Sequence, residues 1–374
     1  MFDVLLSLAI SFTIAFLAIP AIITVADTKK LFDVPDERKI HQQHIPSLGG
    51  LGIFAGFIMA SLIGIHFNLA PEFQYFFAAA IVMFFLGLKD DILVISPIKK
   101  FIGQVIAAFL IIYKGGVQIR SMHGFLGIYE LPEMFSLLIT YFTIIVIINS
   151  FNLIDGIDGL AGSLGIMSAS LFGFYFLRVD LIPYAVMAFA LAGSLGAFLI
   201  FNYHPARIFM GDTGSMLIGM TNAILAIKFI NIGDTPGISY PIQSAAAIGF
   251  IILLVPLMDT FRVFAIRIFH RRSPFSPDRN HIHHLMLDKG MSHNAITFTL
   301  VSANLSCIAV SYFFRQVGCT WLLFTAACIF FTGIAALYYT RHQPRLFVAR
   351  ANDKEDGATK VVPLTKDIIM EQKN

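Results

Sequence analysis

The sequence predicts an all-α membrane protein, built as a polytopic bundle of about eleven transmembrane helices. Two observations lead to this fold class. Of the 374 residues, 57% are hydrophobic and 13% are charged, and the mean hydropathy is +0.78, so one water-soluble core cannot bury the apolar side chains. The apolar residues also form continuous runs instead of the alternating pattern of a transmembrane β-barrel.

A helix needs roughly 20 apolar residues to cross a bilayer core about 30 Å thick, and eleven stretches of the chain are candidates. The signal is weakest at 73–88 and 98–113, which are short. No basic segment or small-residue cleavage site marks the first stretch as a signal peptide, so we expect a retained helix. In chain order the stretches are 4–26, 47–66, 73–88, 98–113, 134–152, 160–177, 181–201, 213–230, 241–260, 294–314 and 319–340.

The distribution of Lys and Arg predicts the orientation in the membrane. Basic residues concentrate in cytoplasmic loops, and 21 of the 26 fall on one side of the predicted topology. The N-terminus is therefore expected outside and the C-terminus inside. We divide the chain into a transmembrane domain over 1–340 and a cytoplasmic polar tail over 341–374. The basic loops are 27–46, 89–100, 202–212, 261–293 and 341–374.

Five clusters of polar residues fall in or next to these loops, so the topology brings them to one membrane interface. Ionisable groups at membrane depth are costly, and such clusters indicate a functional site on the cytoplasmic side. The clusters are Arg38-Lys39-x-His41 with Pro46 and Gly49-Gly50; Lys89-Asp90-Asp91; Asn149-x-x-Asn152-x-x-Asp155-x-x-Asp158; Asn202 with Phe209-x-Gly211-Asp212-x-Gly214-Ser215; and Arg271-Arg272 through Arg279 to His281-x-His283-His284.

The acidic pair Asp90 and Asp91 follows an apolar run and has two interpretations, a solvated helix end or part of a site. Lys100 and Gln104 come one short loop later and share a face of the next helix, because they are one turn apart. The spacing predicts a cation and an amide close to the acidic pair.

The second acidic cluster places a polar residue at every third position from Asn149 to Asp158, which gives a slowly drifting stripe at the end of one helix. Helix capping is the simpler explanation for small polar residues at such a place. Four polar residues in phase on one side of the helix, opposite an apolar face, favour a functional site.

The segment Gly211–Ser215 precedes another apolar run, so Asp212 or Thr213 is expected at least to cap a helix. The same geometry places an anion or a metal ion at the helix start, and the glycines permit close approach of a phosphate.

The segment from Phe261 to Arg272 mixes apolar and basic residues, and it is either a lipid-headgroup anchor or part of the site. The histidines at 281–284 lack a nearby Cys, which disfavours a structural zinc site. Asp259 lies one turn before Arg262 and is expected to pair with it.

These residue types suit phosphoryl transfer between two anions. Two unit charges 4 Å apart repel by about 4 kcal/mol at an effective dielectric of 20, so cations must hold the reactants together. Mg²⁺ suits such a site because it is bound by one or two carboxylates, water and substrate phosphates. Phosphoryl transfer is mostly positioning and electrostatics, so no nucleophilic Ser or Cys is required.

The five motifs together resemble those of the polyprenyl-phosphate N-acetylhexosamine-1-phosphate transferase superfamily, in particular the branch that makes undecaprenyl-diphosphate-N-acetylglucosamine for O-antigen and related surface glycans. The resemblance covers residues 1–340. It implies ten or eleven transmembrane helices in a bacterial inner membrane, with a cytoplasmic active site that depends on Mg²⁺, or alternatively Mn²⁺. It also implies a UDP-N-acetylhexosamine donor, undecaprenyl phosphate as acceptor and UMP as leaving group.

The resemblance also implies residue roles. Asp90 is the candidate base for the acceptor phosphate, while Asp91 and Asp212 are the candidate Mg²⁺ ligands. Because the acceptor phosphate is already largely deprotonated at pH 7, Asp90 is alternatively an orienting residue. Asp155 and Asp158 are further catalytic candidates. The candidate nucleotide-pocket residues are Asn152, Asp155, Asp158, Asn202 and Phe209. The candidates for neutralising or contacting the diphosphate and sugar are Lys100, Arg272, Arg279, His281, His283 and His284.

Two alternative functions stay open on the residues. A secondary transporter also has about eleven helices with buried carboxylates, although it typically shows an internal repeat and midplane polar groups. The related transferase that uses UDP-MurNAc-pentapeptide has consecutive histidines, whereas this chain has His281-x-His283-His284, which favours a simple N-acetylhexosamine. We expect membrane lipid and no nucleic acid as partners. The sequence leaves open the donor sugar, prenyl length, glycan pathway and oligomeric state.

Overall fold

The chain folds into a helical membrane bundle. The computed structural model describes residues 1–30, 45–235, 237–271 and 280–340. A short π-helical segment, Leu110–Lys114, extends the fourth α-helix, and Arg315–Val317 forms a 3₁₀ turn. The α-helices of the described residues are α1 (Phe2–Lys29), α2 (Gly49–Gly64), α3 (Phe73–Ile92), α4 (Pro97–Phe109), α5 (Glu133–Ile154), α6 (Leu160–Arg178), α7 (Ile182–Asn202), α8 (Gly211–Gly233), α9 (Ala245–Ile252), α10 (Leu254–Phe269), α11 (Ile282–Leu287), α12 (His293–Phe313) and α13 (Cys319–Tyr339).

Every predicted apolar stretch is helical, and the all-α membrane class is confirmed. Seven described helices are long and apolar enough to cross a bilayer, or eight if the bent pair α9 and α10 is one span. The count of eleven is therefore not confirmed. Helix α2, with 16 residues, and α4, with 13, are shorter than the roughly 20 residues that a span requires.

Helices α7 and α8 form the centre of the bundle. In their most apolar windows 89% and 78% of the residues are buried, compared with 17% in α1 and 22% in α13. Helix α1 packs on α2 and α7, and α8 packs on α3 and α5. The peripheral helices thus present apolar side chains to lipid, while α8 presents its start to several neighbouring helices.

The ninth predicted stretch is broken by a bend of 78° between α9 and α10. A broken helix in a membrane must satisfy its freed backbone groups internally. The buried side chain of Asn304, on α12, does this: its Oδ1 accepts from Val255 N at 3.0 Å, and its Nδ2 donates to the carbonyls of Ile251 and Ile252 at 3.1 and 3.2 Å. The amide of Asn304 therefore holds the break.

A small antiparallel hairpin of β1 (Ser121–Phe125) and β2 (Ile128–Glu130) is the one sheet among the described residues, and the sequence did not predict it. It lies between α4 and α5. Thr320 Oγ1, at the start of α13, accepts from Leu126 N at 2.8 Å. Since α4 begins and α5 ends next to α8's first residues, the hairpin lies at the opposite end of the bundle. The predicted tail, 341–374, is outside the described residues.

Candidate active site

The site is built around the first turn of α8, whose exposed N–H groups form the positive end of the helix. The expected cap from Asp212 or Thr213 is absent from this end; the cap comes instead from Asp91, at the end of α3. Asp91 Oδ1 accepts from Asp212 N at 2.6 Å, and its Oδ2 accepts from Thr213 N at 3.1 Å and Thr213 Oγ1 at 2.5 Å. The acidic pair is therefore part of the site and not a solvated helix end.

Close packing of α3 against α8 makes this cap reachable. At Gly87 a Cβ atom would lie 2.5 Å from Thr213 Cα, so only glycine permits the two backbones to approach this closely. Asp91 lies one turn further along α3 and is thereby brought to the start of α8.

Lys100, in the first turn of α4, is the cation at the centre of the cluster. Its Nζ lies 3.1 Å from Asp90 Oδ2, forms a short ion pair with Asp212 Oδ2, and lies 3.4 Å from Asn152 Oδ1. Asp90 is further fixed by Ile95 N, which donates to its Oδ1 at 2.8 Å. The predicted proximity of Lys100 to the acidic pair is confirmed.

The polar stripe of α5 faces α4 and α8. Asn152 Nδ2 donates to Asp212 Oδ1 at 2.7 Å and to Ser215 Oγ at 3.0 Å. One turn earlier, Asn149 Nδ2 donates to Gln104 Oε1 at 2.9 Å. Three helices are thus joined by side-chain amides at the level of Asp212.

Asp155 directly follows α5 and is partly buried in this acidic environment. Burial, together with the neighbouring carboxylates of Asp212 and Asp91, raises the pKa of Asp155 to about 8. Negative charge at this end of the bundle is therefore not fully balanced by Lys100.

Asp158 is buried in a second group, with two histidines that the sequence did not point to. Its Oδ2 lies 2.7 Å from His204 Nδ1 and 3.3 Å from His293 Nδ1, and Ala206 N donates to it at 3.3 Å. The ligand atoms of the three side chains lie within 4.8 Å of one another, a spacing compatible with a metal ion. Ring N–H donation to one carboxylate accounts for the same geometry without a metal.

Asn202 and Phe209 shape the connection between α7 and α8. Asn202 Oδ1 accepts from Gly159 N at 2.9 Å and its Nδ2 donates to Ile208 O at 2.8 Å. The backbone of Phe209 pairs with the segment before α2, through Pro46 O and Gly49 N. Contact of Asn202 and Phe209 with a nucleotide stays a prediction. The described hydrogen bonds show that both residues hold the backbone around the connection between α7 and α8 in place.

The histidine segment lies against the turn that carries Asp155. The buried ring of His283 packs on Gly156, where a Cβ atom would collide with Nε2. The rings of His281 and His283 are nearly parallel, with centroids 5.7 Å apart, and His284 lies 4.4 Å from His283. Burial, together with the neighbouring His284, lowers the pKa of His283 to about 3, so His283 is neutral at pH 7.

Asp259, expected only to pair with Arg262, also contacts this segment. Its Oδ1 accepts from Arg262 Nη2 at 2.8 Å and from Ile282 N at 3.0 Å, and its Oδ2 accepts from His281 Nδ1 at 2.8 Å. The predicted site residues Arg272 and Arg279, and the motif residues 38–41, lie outside the described residues.

The arrangement combines a helix N-terminus capped by Asp91, one lysine, further carboxylates and a histidine segment at one end of the bundle. Helix N-termini and cations stabilise phosphate oxygens, and hard carboxylate and amide oxygens suit Mg²⁺. The oxygen donors of Asp212, Asp155 and Asn152 and the raised pKa of Asp155 fit an additional divalent cation. This chemistry fits a diphosphate substrate better than a neutral solute.

Comparison with known proteins supports this interpretation of the site. The profile of glycosyl transferase family 4 matches residues 73–230. The chain is 33% identical over 338 residues to an undecaprenyl-phosphate alpha-N-acetylglucosaminyl 1-phosphate transferase of Haemophilus influenzae, covering 87% of this chain and 92% of the relative. Proteins with the same name from Yersinia pestis and Escherichia coli K12 are 34% and 31% identical, each over 80% of this chain and 81% of the relative.

Proposed function

The chain belongs to glycosyl transferase family 4, and on that basis we propose that it transfers N-acetylglucosamine 1-phosphate from UDP-N-acetylglucosamine to undecaprenyl phosphate, with release of UMP. The observation that carries this proposal is the cluster of Lys100, Asp212 and Asn152 at the start of α8. The names of relatives that align over most of the chain support the reaction class.

The proposed division of labour follows the charges. Lys100 attracts phosphate oxygens, and the positive end of the α8 dipole adds to this attraction, which offsets repulsion between the two anionic substrates. Asp90, held by Lys100 and Ile95 N, orients or deprotonates the acceptor phosphate. The acceptor oxygen attacks the sugar-bound phosphorus while the bond to UMP breaks, so UMP carries away the electron pair of that bond.

We propose that the donor lies between the α8 start and the histidine segment. Asn152, Asp155 and Asp158, with Asn202 and Phe209 behind them, are proposed for the nucleotide side. Arg272, Arg279 and the three histidines at 281, 283 and 284 are proposed for the diphosphate and sugar.

Asp212 is the proposed ligand of Mg²⁺, with Asp91 as a further ligand through Oδ1, which among the described residues accepts only from Asp212 N. A bound Mg²⁺ would neutralise charge on the diphosphate as the leaving group departs. Lys100 already contacts Asp212, so the lysine and a bound Mg²⁺ would share one carboxylate. Asp155 would join them as a ligand on losing its proton, which its raised pKa of about 8 retains at pH 7.

The protein is a multi-pass membrane protein. We propose the bacterial inner membrane as its location, with the site in the cytoplasm where nucleotide sugars occur, and O-antigen or a related surface glycan as the product pathway. The concentration of Lys and Arg on the site side supports this orientation.

The test is an assay of the purified protein with undecaprenyl phosphate and a panel of UDP-sugars. We expect UMP and undecaprenyl-diphosphate-N-acetylglucosamine in equal amounts, and turnover only when both substrates are present. UDP-MurNAc-pentapeptide should give no product, which separates the alternative donor. Transport of a solute into vesicles, with no UMP released, would support the transporter instead.

A further inference from the structure

The carboxylate of Asp259, on α10, is an anchor for the histidine segment. The side chain is 1% exposed, and its two oxygens accept from three partners: Arg262, His281 and Ile282 N. Arg262 is on the same helix, whereas the other two lie about twenty residues later, around the start of α11. The carboxylate therefore joins a membrane helix to the loop that carries the histidines.

The ion pair with Arg262 keeps this carboxylate charged inside the protein. An isolated buried carboxylate is costly, but a paired and fully hydrogen-bonded one is tolerated. Arg262 also donates from Nη2 to the carbonyl of Asn280, the residue before His281. The pair thus fixes the backbone on one side of His281 and the ring of His281 on the other.

Contact with Asp259 also selects the tautomer of His281. A carboxylate only accepts hydrogen bonds, so Nδ1 of His281 must carry a hydrogen, and Nε2 is left for other partners. Paired carboxylates commonly orient functional histidines in this way, and loss of such an orienting group lowers activity about 10- to 100-fold.

The orientation matters because His281 is not isolated. Its ring lies parallel to that of His283 at 5.7 Å, and His283 packs directly on Gly156, between Asp155 and Asp158. A rotation of His281 would disturb this packing next to the acidic turn. The chain of contacts runs from α10 to the end of α5.

We propose that Asp259 is a positioning residue of the transfer reaction: it holds His281 with Nδ1 protonated, so that Nε2 is the nitrogen available to the diphosphate. The proposal rests on the proposed function for its kinetic consequence. The Asp259–His281 geometry is testable without turnover.

The principal variant is Asp259→Asn, which keeps the shape and removes the charge. The amide can still accept from Ile282 N, but its NH₂ group then faces His281 Nδ1 or Arg262. We expect kcat to fall about 10- to 100-fold. His281→Gln should lose as much, and the double variant should lose no more than the larger single loss, because both changes interrupt one interaction. Asp180→Asn, an exposed carboxyl between α6 and α7, is the matched control and should leave kcat unchanged.

The second readout is ¹⁵N NMR of histidine-labelled protein in detergent, with the His281 signals assigned by their loss in His281→Gln. Wild type should show a protonated Nδ1, and Asp259→Asn should change that signal. An unchanged signal, or single losses that multiply in the double variant, would overturn the proposal. If wild type releases no UMP, the proposed function fails while the NMR signal still decides the role of Asp259. Asp259→Glu, which keeps the charge, should restore part of the NMR signature even if Asp259→Asn folds poorly.

Discussion

Asp212 is the residue that makes most of the side-chain contacts at the start of α8. Its two carboxylate oxygens meet Lys100 and Asn152, and its backbone N–H donates to Asp91. An amide in place of the carboxylate keeps the backbone contact and loses the charge. The start of α8 should therefore stay folded in an Asp212→Asn variant that has lost catalytic activity.

We predict that Asp212→Asn lowers kcat by about 10²- to 10³-fold, the cost of losing one preorganised electrostatic contact in a site. The response to added Mg²⁺ should weaken as well, because a neutral amide is a poorer ligand. Steady-state assays over a Mg²⁺ series would measure both effects. Asp234→Asn, an exposed carboxyl at the other end of α8, is the control. Near-normal turnover of Asp212→Asn at saturating Mg²⁺ would show that Asp212 is not a Mg²⁺ ligand.

Asp155 gives a pH prediction. With its pKa raised to about 8, it is mostly protonated at pH 7, and a divalent cation that binds the carboxylate must displace the proton. Apparent Mg²⁺ affinity should therefore rise with pH, by up to about tenfold per unit below pH 8, and level off above it. Mg²⁺-induced thermal stabilisation measures this without turnover. Asp155→Asn should make Mg²⁺ affinity nearly independent of pH in this range. An equally steep pH dependence in that variant would exclude Asp155 as a Mg²⁺ ligand.

The site residues that belong to local sequence patterns were predictable, whereas those defined only by three-dimensional contact were not. The stripe from Asn149 to Asp158 is visible because one helix repeats it, and Lys100 is visible because it follows the acidic pair. No local sequence pattern marks His204 or His293 as site residues. None shows that Asp259 contacts the histidine segment. Their partners are 46, 135 and 22 residues away in the chain, a separation that only the packed bundle closes.

At the scale of elements, the helices were predictable and their irregularities were not. Runs of apolar residues predict most helices to within a few positions, because a helix satisfies every backbone group internally in lipid. The exceptions are α10, which continues to Phe269, nine residues past the predicted stretch, and the short α11, which was not predicted. The bend between α9 and α10 was missed although the sequence carries a signal for it: Pro256, three residues after Leu253, lacks the N–H that would bond to the carbonyl of Ile252 in a continuous helix. The hairpin of β1 and β2 was missed because its strands are only five and three residues long.

The bend supports a prediction about Asn304. Asn304→Leu conserves size but leaves Val255 N and two carbonyls of α9 without their partner. The free energy of unfolding should fall by about 1–3 kcal/mol, the cost of an unsatisfied buried polar group. Denaturation in detergent would measure the change. Thr299→Val, an exposed change on the same helix whose hydroxyl bonds only within α12, is the control. A loss of unfolding free energy no larger than that of the control would show that the bend does not depend on the hydrogen bonds of Asn304.

At the scale of the whole molecule, the polar groups collect at one end of the bundle and not at its middle. Helices α3, α5 and α7 end there, while α4, α6, α8 and α12 begin there. A transporter would require polar groups near the membrane midplane, between repeated halves. The observed distribution instead suits a soluble donor that meets a lipid acceptor at the interface.

This distribution predicts labelling from opposite sides. In a variant without the native cysteines, Asn294→Cys, at the site end of α12, should react with an impermeant maleimide only after cells are opened. Glu130→Cys, exposed on β2 at the opposite end, should react in intact cells whose outer barrier admits the reagent. The charge asymmetry of the loops gives this direction. The reverse pattern would place the site outside the cytoplasm and remove its access to nucleotide sugars.

Isotope exchange separates direct transfer between two bound substrates from a route through a covalent enzyme intermediate. One diphosphate linkage replaces another, so the reaction should run in both directions. Labelled UMP should enter UDP-N-acetylglucosamine when undecaprenyl phosphate is present, and should not do so in detergent preparations freed of lipid phosphate, because no enzyme-bound sugar phosphate forms. Exchange without the lipid would contradict the account, since it would require a covalent intermediate on a carboxylate such as Asp90 or Asp91.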